Sequence, residues 1–241
     1  MKLIIMRHGE CVGLDKSIIN GWRDFPLTEN GKAQAKEAAN KLKEIANIGK
    51  IDKVFSSYLM RTRDTAKIIA DEFGNLCVKQ DIRLNERHYG FFQGMKREDA
   101  YKYPEYNTLS LSADRLDNTL IPLSDEAYEK QIEEYSIKLS MPKEQLYGIL
   151  PRSESILDVE ERLISFLEEN IFVEDNIEDT ILIVGHANTV KLTVGYIEKL
   201  PFEEMTKLRF GTCGMTIYDL EYINREYVIT DILHLNDEYT M

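Results

Sequence analysis

The sequence predicts an α/β fold built around a mostly parallel sheet. Two short apolar runs, LIIM at residues 3–6 and TILIVG at residues 180–185, are typical of strands that are buried on both faces. Segments with helical spacing of apolar residues come between such runs, and strands that alternate with helices favour a parallel sheet. A chain of 241 residues is long enough for one large domain with a full core.

The first half of the chain contains two strand–helix units. The strand at residues 3–6 is followed by a loop rich in glycine, and Thr28 is a suitable N-cap for the helix after it. The stretch IDKVFSS (51–57) predicts a second strand, and residues 59–73 predict a second helix with one apolar face. The stretch VKQDIRLNE (78–86) has the pattern of an extended segment.

The second half resumes the alternation after an interruption. Residues 100–150 carry much of the proline, many tyrosines and one weakly amphipathic helical run, EAYEKQIEEYSIKL. We interpret them as an insertion packed over one end of the domain, because so short a segment without a strong core rarely folds alone. A helix in SESILDVEERLISFL, the strand TILIVG and a helix in HANTVKLTVGYIEKL follow. The final stretches, CGMTIYDLEY and YVITDILHL, predict a hairpin or an edge pair of strands.

Composition narrows the class of protein. The net charge of −12 argues against a nucleic-acid partner, since phosphate backbones require a basic face, and an anionic substrate would need a local cluster of arginines. Three widely spaced cysteines without a CxxC pair indicate neither a disulfide framework nor a thiolate metal site. The apolar run in KLIIM is too short to span a membrane and lacks the features of a signal peptide. We therefore expect a cytoplasmic protein.

Two of the four histidines share a local setting. His8 and His186 each directly follow a predicted buried strand, and ligands of open α/β sheets bind at the carboxyl ends of strands. If the two strands are neighbours, both imidazoles enter the same crevice. Arg7 precedes His8, and Arg61 follows the second strand in SSYLMRTRDTA.

Further polar residues lie at the predicted strand ends. Glu86 and Arg87 end the extended run, and Asn188 lies two residues beyond His186. Cationic neighbours oppose metal binding, so a metal site is not expected. Phosphoryl chemistry fits better: arginine forks bind phosphate oxygens, histidine is a competent nucleophile, and a buried carboxylic acid such as Glu86 can protonate a leaving oxygen.

The motifs resemble those of one family. RHGE at the first strand end, the later GHAN, SSYLMRTRDTA and the helix start LT-x-x-G-x-x-QA resemble the histidine phosphatase (phosphoglycerate mutase-like) superfamily. LNERHYGFFQG, NGWRDFPLT and LPRSESILDVEERL are similar to its cofactor-dependent phosphoglycerate mutase branch. The resemblance runs from residue 2 to about residue 220 and is weakest over residues 100–145. It implies a three-layer α/β/α sandwich, a single domain over residues 1–241, and a lid made of the insertion at residues 100–150.

The resemblance also implies roles for individual residues. His8 would become the phosphohistidine, Arg7, Arg61 and His186 would surround the transferring group, and Glu86 would give and take the proton. The remaining positions would contact phosphate or substrate: Asn20, Gly21, Tyr89, Arg97 and Asn188. The family usually has lysine where Arg97 stands.

Departures from the family leave alternatives open. Where mutases have Ser-Glu-Trp-Asn-like residues after RHG, this chain has Cys11–Leu14, and only Arg115 remains of an arginine pair expected in the insertion. The first hypothesis is a glycolytic mutase that interconverts 3- and 2-phosphoglycerate, primed by 2,3-bisphosphoglycerate, with no metal. The second is a phosphomonoesterase in which water attacks the same intermediate, and the third is a non-catalytic binding protein. Expected partners are small phosphorylated metabolites, with no nucleic acid and no membrane; a homo-oligomer is left open.

Overall fold

The computed structural model describes residues 1–45, 48–104, 106, 121–147 and 149–235. In this part of the chain six strands form one sheet, in the order β3-β2-β4-β1-β5-β6. The strands are β1 (Lys2–Arg7), β2 (Lys53–Ser56), β3 (Val78–Gln80), β4 (Thr180–Gly185), β5 (Met215–Ile223) and β6 (Glu226–Leu235). The first four in the sheet order are parallel, and β5 and β6 are antiparallel to their neighbours. The predicted α/β fold, its mostly parallel sheet and the final pair of strands are confirmed.

Helices connect the strands. Among the described residues they are α1 (Val12–Asp15), α2 (Glu29–Glu44), α3 (Met60–Glu72), α4 (Arg97–Ala100), α5 (Asp125–Leu139), α6 (Lys143–Leu146), α7 (Ile156–Asn170), α8 (Ala187–Ile197) and α9 (Phe202–Lys207). Short 3-10 turns lie at Ile82–Leu84, Gly90–Phe92 and Glu174–Asn176. No helix within the described ranges is long and apolar enough to cross a membrane.

The sheet is covered on both faces, as the three-layer prediction requires. Successive side chains of β1 point to opposite faces, so Leu3 and Ile5 pack in a cluster with α7 and α8, while Ile4 and Met6 pack in another with α2 and α3. Each fully buried aliphatic side chain of this kind contributes about 1.5–3 kcal/mol through the hydrophobic effect. The two cores hold β1 and its neighbours at the centre of the molecule.

Local chemistry sets where the elements begin and end. The Thr28 hydroxyl accepts a hydrogen bond from Gly31 N (3.0 Å), which confirms it as the N-cap of α2. Gly31 also lets α2 approach the loop after His8, because a Cβ there would lie 2.0 Å from the Glu10 carbonyl oxygen. The extended segment predicted at residues 78–86 is only partly a strand. It turns after β3 because the Asp81 carboxylate caps a 3-10 turn.

The described part of the insertion packs beside the carboxyl ends of the strands. Helix α5 confirms the predicted helical run, and its Tyr128, Ile132 and Tyr135 pack in a cluster with Trp22. The Tyr135 hydroxyl also accepts a hydrogen bond from the Asn85 amide (3.0 Å). Residues 107–120, which include Arg115, lie outside the described residues.

Candidate active site

The sheet order answers the question raised by the two histidines. Strands β1 and β4 are parallel neighbours with Arg7 opposite Gly185, so His8 and His186 leave the sheet side by side. The His8 backbone N–H donates to the Gly185 carbonyl (3.0 Å), and the two imidazole centroids are 5.2 Å apart. The two imidazoles therefore lie side by side, as expected if the strands are neighbours.

His8 is poised as a neutral nucleophile. Its Nδ1 lies 2.7 Å from the Gly9 carbonyl oxygen, and because a carbonyl only accepts, Nδ1 must carry the proton and Nε2 the lone pair. Burial lowers the pKa of His8 well below its ordinary value, and the charges of Arg61 and Arg7 lower it further. An unprotonated Nε2 at neutral pH is what attack on phosphorus requires.

His186, beside His8, has one ring nitrogen bonded and the other unpartnered in the described residues. Its Nε2 is 2.9 Å from the Ser57 hydroxyl, while its Nδ1 is buried with no hydrogen-bond partner in the described part of the chain. Burial, followed by the charge of Arg61, lowers the pKa of His186 well below its ordinary value. Such an orphaned atom is rare in native proteins and marks a place for a ligand.

Arg61 brings a buried positive charge from the first turn of α3. It is 1% exposed, and its guanidinium donates to the carbonyl oxygens of Arg23 (3.0 Å) and Gly21 (2.8 Å). Its Nε has no hydrogen-bond partner among the described residues. Backbone carbonyls fix the guanidinium without neutralising it, so its charge is available to an anion.

Glu86 is held by hydrogen-bond donors on both carboxylate oxygens, the backbone N–H of Asn188 reaching Oε2 at 3.4 Å. Oε1 accepts from Arg87 N (2.7 Å) and from the Asn188 amide (3.1 Å), and the same amide donates to the Tyr89 hydroxyl (2.8 Å). The Trp22 indole donates to the Glu86 carbonyl (2.5 Å). Burial raises the pKa of Tyr89 to about 12, so its hydroxyl stays protonated at neutral pH.

The ion pair between Arg162 and Glu154 holds the backbone around Glu86. Arg162 donates to both carboxylate oxygens of Glu154 (2.7 and 3.0 Å) and to the Glu86 carbonyl (3.0 Å). Glu154 in turn accepts from His88 N (2.8 Å). Because a half-broken buried pair is strongly unfavourable, this network fixes the backbone on either side of Glu86.

Most of the predicted residues converge on the strand ends. The structure brings together Arg7, His8, Arg61, Glu86, Tyr89, His186 and Asn188. The Gly21 carbonyl reaches this group through Arg61. Arg97 does not contact it in the described structure: it is exposed on α4, with one guanidinium nitrogen 3.5 Å from the Tyr106 hydroxyl.

In the loop Cys11–Leu14, which departs from the family pattern, Gly13 leaves space for the Asn20 side chain. A Cβ on Gly13 would lie 1.8 Å from Asn20 Oδ1, so only glycine admits this side chain. Asn20 Nδ2 donates to the Cys11 sulfur (3.2 Å), and its Oδ1 is buried with no partner in the described residues. Gly13 of the loop that departs from the family pattern therefore makes room for a polar side chain from the neighbouring stretch NGWRDFPLT.

Sequence reasoning missed two residues that hold the site. Ser57 binds His186, and it directly follows β2, so the rule that strand ends carry site residues could have found it. Trp22 holds the Glu86 carbonyl from 64 residues away, and nothing in the sequence signals that contact.

We expect acid to destabilise the fold through its buried histidines. Burial lowers the pKa of His8 and His186 well below 6.5 and that of His88 to about 4. Below pH 6.5 and above the pKa of each histidine in the folded protein, the unfolded chain binds more protons than the folded chain. The free energy of unfolding should therefore fall as pH falls, by about 1.4 kcal/mol per pH unit for each histidine. Urea denaturation at pH 7, 6 and 5 measures the change. A stability that is constant over this range would contradict the neutral, buried state.

A parallel sheet that delivers two neutral imidazoles beside a buried guanidinium and a carboxyl is typical of enzymes that move phosphoryl groups through histidine. The chain belongs to the histidine phosphatase superfamily: residues 3–119 and 122–231 match the sequence profile of its branch 1.

The chain is similar to known proteins over nearly its whole length. A 2,3-bisphosphoglycerate-dependent phosphoglycerate mutase of Parabacteroides distasonis is 31% identical over 236 residues, covering 95% of this chain and 92% of that protein. A protein of the same name from Borreliella burgdorferi is 32% identical over 232 residues, covering 91% and 87%.

Solved structures show the same fold. A phosphoserine phosphatase of Entamoeba histolytica, in complex with 3-phosphoglyceric acid, superposes with a TM-score of 0.66 at 22% identity, covering 96% of this chain and 95% of its own. A mycobacterial glucosyl-3-phosphoglycerate phosphatase superposes with a TM-score of 0.65 at 24% identity, covering 95% and 96%. At these identities the likeness concerns the fold alone.

Proposed function

We propose that the protein is a phosphoglycerate mutase that interconverts 3- and 2-phosphoglycerate in glycolysis, in the cytoplasm, after priming by 2,3-bisphosphoglycerate. The observation that carries the proposal is the similarity, above 30% identity over more than nine tenths of the chain, to relatives of that name. The side chains that the chemistry needs, His8, Glu86 and His186, lie together at the strand ends. The proposed reaction needs no metal.

In the proposed cycle His8 carries the phosphoryl group on Nε2. The 2-hydroxyl of 3-phosphoglycerate attacks phosphorus, its proton passes to Glu86, and the P–N bond breaks to give 2,3-bisphosphoglycerate. The intermediate turns in the site. Nε2 of His8 then attacks the 3-phosphoryl group, the P–O bond breaks, and Glu86 returns the proton to the leaving oxygen. 2-Phosphoglycerate leaves and the enzyme is again phosphorylated.

The surrounding groups would stabilise the transferring phosphoryl group. Arg61 Nε is a buried donor without a partner in the described residues and can donate to an equatorial phosphate oxygen once a phosphoryl group arrives, while His186 Nδ1 can donate only after that negative charge has drawn a proton onto the ring. Arg7, which donates to the Phe210 carbonyl beside His8, supplies further positive charge. Asn188 and Tyr89 would orient Glu86 and the substrate, while Asn20, Gly21 and Arg97 would bind substrate from the edges.

We also propose that the chain forms a single domain in which residues 100–150 act as a lid. Support comes from α5, which packs on Trp22 and bonds to Asn85, next to Glu86. A lid would exclude water from the phosphoenzyme, which a mutase must do. Hydrogen exchange of this segment should slow when vanadate is added.

Phosphorus NMR tests the mutase directly. The purified protein is incubated with 3-phosphoglycerate and a trace of 2,3-bisphosphoglycerate, in one sample with excess EDTA and in a second without it. We expect 2-phosphoglycerate to grow without inorganic phosphate, in the same time with and without EDTA. Loss of the activity in EDTA would contradict a metal-free reaction.

A phosphomonoesterase is the second candidate, favoured by the changed loop at Cys11–Leu14. Gly13 of that loop admits the Asn20 side chain, whose buried Oδ1 has no partner in the described residues and can accept a hydrogen bond from a water molecule. Inorganic phosphate growing in the NMR experiment would favour this candidate. A protein that takes no label from any phosphoryl donor would be a binding protein.

A further inference from the structure

A second group of positive charges lies beside Glu86. Lys191 comes three residues after Asn188 on α8, so the two side chains share one face of the helix, and Asn188 binds the Glu86 carboxylate. The ammonium group of Lys191 is close enough to Glu86, Arg209 and Arg7 to interact electrostatically with all three. Lys191 therefore faces the crevice and not the outer surface of α8.

Arg209 reaches the same place from the loop between α9 and β5. Its guanidinium donates to the Leu208 carbonyl (2.9 Å), and the next residue, Phe210, accepts a hydrogen bond from Arg7. The loop is thus fastened to the strand end that carries His8. Arg209 is exposed and Lys191 is half-buried, so this part of the crevice is open to a ligand from solvent.

We infer that Lys191 and Arg209 form a subsite for a carboxylate that the substrate carries next to its phosphate ester. Lys191 lies within electrostatic range of two further cations, Arg209 and Arg7, and of one carboxylate, Glu86, so in a chain of net charge −12 this part of the crevice is locally positive and attracts a second anionic group. A substrate whose ester oxygen lies at Glu86 would place a carboxylate one or two carbons away within reach of Lys191 and Arg209. The inference rests on the proposed function for the identity of the acid.

The ligand pair that tests this differs only at the carboxylate. Glycerol 3-phosphate has a hydroxymethyl group where 3-phosphoglycerate has its acid, so the ratio of their dissociation constants isolates the subsite. Calorimetry in a His8→Ala background prevents turnover and serves whether the enzyme is a mutase or a phosphatase. We expect the background protein to bind the acid about 10- to 100-fold more tightly, as for hydrogen bonds to a charged group.

Variants then assign the preference. Lys191→Ala and Arg209→Ala should each remove most of it and leave the affinity for glycerol 3-phosphate nearly unchanged. Lys207→Ala is the matched control, because Lys207 is exposed two residues before Arg209 and pairs with Glu204. Equal binding of the two ligands by the background protein, binding of neither, or a preference that survives both substitutions would overturn the inference. If the NMR experiment yields no 2-phosphoglycerate but the preference holds, the mutase fails and the subsite stands.

A pH series separates charge from structure. Burial, then the charges of Arg209 and Arg7, lower the pKa of Lys191 to about 8, while Glu86 opposes the shift. The lysine is charged below that pH and loses its charge above it, and a bound anion moves the loss to higher pH. The preference for the acid should therefore decline at alkaline pH in the parent and persist in Lys191→Arg, since arginine stays charged. The same decline in both proteins would show that Lys191 does not bind the carboxylate.

Discussion

We expect His8→Ala to abolish the phosphoenzyme and to lower kcat by about five to six orders of magnitude, the scale of loss when a covalent nucleophile is removed. The reason is that Nε2 of His8 is the atom that would bond to phosphorus, and its lone pair is set by the Nδ1 contact to Gly9. Incubation with radiolabelled 2,3-bisphosphoglycerate, followed by denaturing electrophoresis, measures the acid-labile label.

His234→Ala is the matched control for this substitution. His234 lies in β6, the edge strand two positions from β1 in the sheet, where its Nδ1 is 2.9 Å from the Thr216 hydroxyl. It should keep full labelling and rate. Circular dichroism should show that both variants are folded. A His8→Ala protein that still takes the label would remove His8 as the nucleophile.

The second large effect is expected for Glu86→Gln. We expect a loss of about 10²- to 10⁴-fold in turnover of phosphoglycerate, the usual contribution of a general acid. Glutamine keeps an oxygen that accepts from Arg87 N and the Asn188 amide, and besides the acid it loses only the long contact of Oε2 with Asn188 N (3.4 Å). Esters with good leaving groups need no proton, so phosphorylation of His8 by dinitrophenyl phosphate should be nearly unaffected.

The measurement is the rate of phosphoenzyme formation across a series of leaving groups. The variant should show a much steeper dependence on the acidity of the leaving alcohol than the parent does. Glu198→Gln is the control, because this carboxylate accepts from the Tyr218 hydroxyl at the far end of α8. An equal loss with good and poor leaving groups would mean that Glu86 only positions other groups.

The sequence predicts correctly those elements that depend on residues close together in the chain. The apolar run of β1, the run of β4 and the cap at Thr28 each depend on neighbouring residues, and all three are confirmed. That His8 and His186 meet followed from a rule about strand ends, once the strands are neighbours. The structure supplied that adjacency.

Other parts of the site depend on contacts that no local pattern encodes. The Trp22 indole reaches the Glu86 carbonyl, and Arg209 comes near Lys191, only because loops from distant parts of the chain fold over the same strand ends. The fit of Asn20 against Gly13 depends on the missing Cβ, which would lie 1.8 Å from Asn20 Oδ1. Such contacts follow from tertiary packing, which periodicity does not describe.

The distance between the two imidazoles is set by the distance between neighbouring strands of the sheet. Neighbouring strands lie about 4.8 Å apart wherever they pair, and the 5.2 Å between the rings is close to that fixed repeat. The side chains that would select a substrate, by contrast, sit on helices and loops beyond the strand ends. Relatives can therefore diverge in the molecules they accept while inheriting the phosphoryl chemistry unchanged, and a laboratory evolution of new specificity could leave β1 and β4 untouched.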